Sequence, residues 1–157
     1  MNMGMKVALI LILCLAVVLP ASAFTLNGVK FTVGENGDTL VNAEYELSFT
    51  EYLTVALSND LIKERVRGYA EEFLGKPVEI NSIGSESAEG TIRGYATVDK
   101  GHYTTPEISL KEIRDKIMRS KYSMLSDVSL SPEEVDIVFP DGYTERMSGN
   151  VIKGIWH

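Results

Sequence analysis

Residues Val41–Thr50, VNAEYELSFT, constrain this chain more than any other stretch. The odd positions Val41, Ala43, Tyr45, Leu47 and Phe49 are apolar, and the even positions Asn42, Glu44, Glu46, Ser48 and Thr50 are polar. Strand side chains alternate between faces, so this pattern gives one strand a dry face and a wet face. A slip of one residue in its pairing would bury both glutamates, which pins the register. The dry face needs a cover, and segments with helical spacing come later in the chain.

The N-terminus is set apart from any folding argument. Lys6 is the only charge ahead of an apolar run from Val7 to Leu19, which Pro20 breaks and Ala21-Ser22-Ala23 succeeds. A basic start, a short apolar core and a small-x-small end describe a secretory signal peptide, residues 1–23, cleaved after Ala23. The alternative is retention as a membrane anchor through residues 7–20, although a bilayer span takes about 20 apolar residues. Cys14, the only cysteine, lies in the middle of the apolar run and would leave with it.

The remainder, residues 24–157, is expected to form a single α+β domain without disulfides, held by its core and hydrogen bonds. The 15 Lys and Arg less Lys6, set against 22 Asp and Glu, give this part a net charge of −8. Such an acidic surface argues against nucleic acid as a partner, because phosphate binding needs a basic field.

Taken in order, Phe24–Val33 reads as a small hairpin about Asn27-Gly28 or as an extended lead-in strand. Residues 34–38, GENGD, form a turn. Beyond Thr50 the dense apolar patch 51–57 fits helix or strand, with helix preferred. Ile62, Val66, Tyr69 and Phe73 recur at helical spacing after the candidate N-cap Ser58-Asn59-Asp60, and Gly75 with Pro77 ends that helix. Strands are expected over 77–83 and 88–98, the second with a dry face of Ala88, Gly90, Ile92, Gly94, Ala96 and Val98. Its two glycines imply something pressed close against that face. Asp99–Glu107 reads as a polar loop.

Ser109-Leu110-Lys111-Glu112 is a capping box, and Ile108 with Ile113 fits the hydrophobic staple, so a second helix starts there and fades near 122–125. A linker over 126–132, a strand through Val135, Ile137 and Phe139, the turn Asp141-Gly142 and a returning strand 143–147 complete the chain. The order strand, helix, strand, strand, helix, strand resembles the βαββαβ arrangement of a ferredoxin-like sandwich, here with hairpin strands added at both ends. That topology hosts many unrelated functions and brings none with it.

No group of residues announces a reaction. Glu44 and Glu46 share a strand face about 7 Å apart, as an acid–base pair or half of a calcium site would, but a solvated face explains them better, since no third ligand or partner base accompanies them. Glu35, Asn36 and Asp38 lack the spacing of a calcium loop, and the Asn36-Gly37 turn accounts for their composition. His102 and His157, the only histidines, have none of the company a zinc site needs. Neither a catalytic, a metal nor a cofactor-binding set is assigned, and no cofactor is called for.

The local charge anomaly is the second helix. Lys111, Arg114, Lys116, Arg119 and Lys121 outweigh Glu112 and Asp115 by three charges, a surface suited to an acidic partner or anionic membrane. The chain ends on Val151, Ile152, Ile155 and Trp156, an apolar tail expected to dock back on the domain or to anchor a partner. The candidate partner surface is therefore Lys111, Arg114, Lys116, Arg119, Lys121 and Trp156. The expected function is an exported, non-catalytic binding protein of the cell envelope or extracellular space. Its partner would be a protein or envelope component, with a membrane involved only if the N-terminal segment is retained. One alternative is a small exported hydrolase using Asp99 and His102, and another is an inhibitor or propeptide-like module.

Overall fold

The computed structural model describes residues 23–47, 64, 79–84, 86–119 and 127–157. The apolar N-terminal run, the 51–57 patch, the first helix apart from Glu64, and Lys121 lie outside them.

The organising strand is present where its alternation places it. Strand β2 (Thr39–Leu47) buries Val41, Ala43 and Tyr45 and exposes Glu44 and Glu46. It pairs antiparallel with β1 (Ala23–Val33), and Gly34–Asp38 close the connecting turn through Gly34 N–H to Asp38 O (2.8 Å) and Gly37 N–H to Gly34 O (2.9 Å). Asn27-Gly28 is not a turn. The register jumps between Leu26↔Tyr45 and Gly28↔Glu44, which makes Asn27 the extra residue of a β-bulge. The bulge lets Leu26 and Val29, three positions apart, both enter the core.

On the far side of β2 lies β4 (Ser87–Ile92), and beyond it β3 (Glu79–Ile83), both antiparallel to their neighbours. A second bulge at Asn81 brings Ile80 and Ile83 to the same side. β4 ends sooner than its alternating pattern suggests. Gly94 takes φ +66° with open space where a Cβ would stand, so its role is to turn the chain rather than to admit a close neighbour. The turn carries Tyr95 inward, where its ring stacks on Phe31 at 5.0 Å and 12°.

The ferredoxin-like expectation is overturned. A βαββαβ sandwich would set the strand near residues 135–139 directly beside β2. Instead the 11 residues of β1 fill that place, and β9 (Glu134–Val138) runs parallel to β1 on its other edge. The sheet order is β10-β9-β1-β2-β4-β3, with β10 (Thr144–Met147) returning from β9. The expected linker holds β8 (Asp127–Ser129), which extends the parallel pairing along the first residues of β1. Among the described residues, Glu64 aside, one helical segment, α1 (Leu110–Arg119), accompanies eleven strands, so the fold is sheet-rich rather than α+β.

Helix α1 starts where the capping box places it. Ser109 Oγ accepts from Glu112 N–H at 3.3 Å, and Leu110 is fully buried. Just before it, β7 (Ile108–Ser109) pairs with β11 (Val151–Ile152). The polar loop expected at 99–107 contains a hairpin. β5 (Thr97–Asp99) and β6 (His102–Thr104) are joined by Lys100 at φ 50° and Gly101 at φ 80°, both left-handed as a two-residue type I′ turn requires.

Candidate functional site

The β5–β6 hairpin gains a third strand from the chain's last residues. Tyr103 and His157 exchange both backbone hydrogen bonds (2.7 and 2.9 Å), which sets Trp156 opposite Thr104. Thr105 N–H donates to Ile155 O at 2.8 Å, and Thr105 Oγ1 accepts from Ile155 N–H at 2.9 Å. Gly154 makes this approach possible, because a Cβ there would lie 2.8 Å from Thr105 O. The ribbon is joined to the main sheet through Ala96 N–H and Gly37 O (3.1 Å).

Alternation then sorts the ribbon's side chains. Tyr103 and His157 face the main body. The His157 ring stacks on Tyr143 (4.4 Å, 11°) and leans on Phe139 (4.9 Å, 41°), and Tyr103 meets Phe139 at 6.0 Å. His157 Nε2 is hydrogen-bonded to Asp141 Oδ2 at 2.7 Å, which holds the Asp141 carboxyl below its usual pKa. The tail is thereby fastened at His157 by backbone hydrogen bonds, ring stacking and a side-chain hydrogen bond.

The opposite face carries Thr97, Asp99, His102, Thr104 and Trp156, all exposed. Trp156 is 70% exposed, the most exposed large apolar side chain among the described residues, although its backbone is bridged to Thr104. The His102 ring stacks flat against it at 4.6 Å and 17°. Only one indole face can be covered this way, so the high exposure belongs to the other. The result is a fixed aromatic plate bordered by hydroxyl, carboxylate and imidazole groups.

The sequence-derived candidates scatter over the fold. Lys111 and Arg114 are exposed on α1, where Arg114 lies 3.8 Å from Asp115. Lys116 and Arg119 come later on the same helix, whereas Trp156 belongs to the ribbon. Asp99 and His102 face each other across the hairpin turn, yet no hydrogen bond joins them, and the His102 ring is committed to Trp156. The His–Asp pair that does form is His157 with Asp141, and only the Asp-Gly turn marks either residue in the sequence. No serine or threonine hydroxyl bonds either imidazole among the described residues.

The acidic candidates have structural work. Asp38 accepts from Gly94 N–H at 2.9 Å and from its own turn's Asn36 Nδ2 at 3.1 Å, and it pairs with Arg93 at 3.5 Å. Glu44 and Glu46 lie on the wet face of the sheet. On that face Arg146 forks onto Asp136 (2.8 and 3.1 Å) and reaches Glu134 (2.9 Å), keeping the Asp136 carboxyl below its usual pKa. Among the described residues no cluster of three or more His, Cys, Asp or Glu side chains could hold a metal ion, and no helix is long and apolar enough to cross a membrane.

Comparison with protein-family models, with curated proteins and with solved structures finds no match to this chain.

Proposed function

We propose that this is a non-catalytic binding protein of the cell envelope or extracellular space, and that it binds through the outer face of the ribbon centred on Trp156. One observation carries the reading: a tryptophan held by a backbone bridge and a stacked imidazole yet left 70% exposed. An indole offers about 150–250 Å² of surface. At about 25 cal/mol per Å², covering the exposed share would release on the order of 3 kcal/mol. A fold that commits three backbone hydrogen bonds, a glycine and a ring cluster to holding that side chain outward is built to present it. The export half of the reading rests on the signal-like composition of residues 1–23.

Two other readings have less support. A hydrolase would need Asp99 to orient His102 for proton transfer, and the imidazole is instead laid against Trp156. An inhibitor needs a free tail or loop to enter a protease cleft, and the C-terminal residues are hydrogen-bonded into the ribbon.

The test is crosslinking in the native cells with the full chain and with Trp156→Ala. The expected result is a specific adduct with an envelope or extracellular component that the variant loses while its melting temperature stays unchanged. Equal capture by both proteins would overturn the ribbon as the contact surface. Recovery of intact Met1 protein from the cytosol would overturn the export half.

A further inference from the structure

Resting on the binding role proposed for the ribbon, we infer that the Trp156 face recognises an uncharged carbohydrate, a pyranose ring lying on the open side of the indole. Size comes first. The face takes two residues from each of β5 and β6 and Trp156 from the last segment, about 10 Å by 7 Å between Cα positions. A stable protein–protein interface takes roughly 800 Å² from each partner, so this plate by itself suits one or two sugar rings better than a folded partner.

Chemistry narrows the choice. The plate offers a single flat apolar surface, the indole, with its far side backed by His102. On the same face of the ribbon are the Thr97 and Thr104 hydroxyls and the Asp99 carboxylate. A pyranose is the matching object, because its axial C–H groups make an apolar face while its hydroxyls point outward in the ring plane. Asp99 enters no ion pair among the described residues, so both of its oxygens can accept from sugar hydroxyls.

Charge excludes the neighbouring ligand classes. A cation would favour an indole with several carboxylates around it, and here Asp99 stands next to Lys100 at the hairpin tip, leaving the face near neutral. An acidic sugar would need a guanidinium or paired lysines, and the face itself carries none.

Trp156 is the only tryptophan, so tryptophan emission, excited at wavelengths that the seven tyrosines do not absorb, reports on this site alone. The experiment titrates the purified full chain with cellohexaose, chitohexaose and laminarihexaose up to about 10 mM, the range in which such small contacts saturate. At least one should give a saturable change in emission, with Asp99→Asn weakening it about tenfold, as loss of a charged acceptor predicts. Retention on the matching insoluble polysaccharide should vanish for Trp156→Ala and persist for Lys111→Ala on the helix. If none of the three sugars changes the emission, the carbohydrate inference is overturned. Should Trp156-dependent crosslinking to a protein persist in that case, the binding role survives with a different ligand. Loss of both removes both.

Discussion

Two tyrosines in the same core should answer the same substitution with opposite signs. Tyr45 on β2 is 2% exposed, and its hydroxyl donates to Gly84 O at 2.5 Å, with Ser87 O at 3.1 Å. Tyr95 is also 2% exposed and stacks on Phe31, but its hydroxyl has no hydrogen-bond partner among the described residues. Burial pushes both phenol pKa values up, so each is a neutral O–H across the useful pH range. Tyr45→Phe removes a hydrogen bond and leaves a buried carbonyl short of a donor, a loss of about 1–2 kcal/mol. Tyr95→Phe removes a polar atom that lost its water on folding and gained nothing, so it should be neutral or stabilising by up to about 1 kcal/mol. For a chain of this size each 1 kcal/mol is worth about 3 °C in Tm. Urea unfolding at constant m-value should therefore move the two midpoints apart, Tyr45→Phe downward and Tyr95→Phe level or upward. Tyr95→Phe losing more than about 1 kcal/mol would refute the reasoning.

Gly37→Ala should destabilise by about 2 kcal/mol or more by thermal melting, because a Cβ there would meet Ala96 O at 2.2 Å and the residue holds φ +89°. Gly154→Ala should abolish ligand capture without altering any binding side chain, since it pushes the last strand off Thr105; protection of the Tyr103 and His157 amides from hydrogen exchange would fall with it. Acid should weaken the fold through Asp136 and Asp141, whose carboxyl pKa values are lowered in the folded state by Arg146 and His157 respectively. Their contribution is therefore present above the ordinary carboxylate range, about pH 4, and is lost as pH falls through the lower folded values. Asp136→Asn should flatten the stability–pH curve in that window, as read by urea midpoints.

Local signals in the chain are readable and non-local pairings are not. The alternation of Val41, Ala43 and Tyr45, the Asn36-Gly37 and Asp141-Gly142 turns and the Ser109 cap each act within a few residues, and each stands where the sequence places it. Asn27-Gly28 misleads because the same dipeptide serves a hairpin turn or a bulge, and only the partner strand decides between them. The extended lead-in strand is the alternative that the fold adopts, but nothing within Phe24–Val33 signals that its free edge pairs in parallel with β8 and β9, far later in the chain. Lys100 hides the type I′ turn because Asn or Asp is the usual residue at that position. The apolar tail docks only in part: Ile152 is buried, while Val151 and Trp156 stay exposed. The outward turn of Trp156 depends on its pairing with Thr104, far earlier in the chain.

Pairing between residues 103–105 and 155–157 holds the single indole outward against His102, and every functional statement about the ribbon depends on it. Nuclear Overhauser contacts from the Trp156 ring protons test this most directly. They should run to His102 and Thr104 and not to Phe139. Contacts to Phe139, or an indole with no contacts at all, would contradict it.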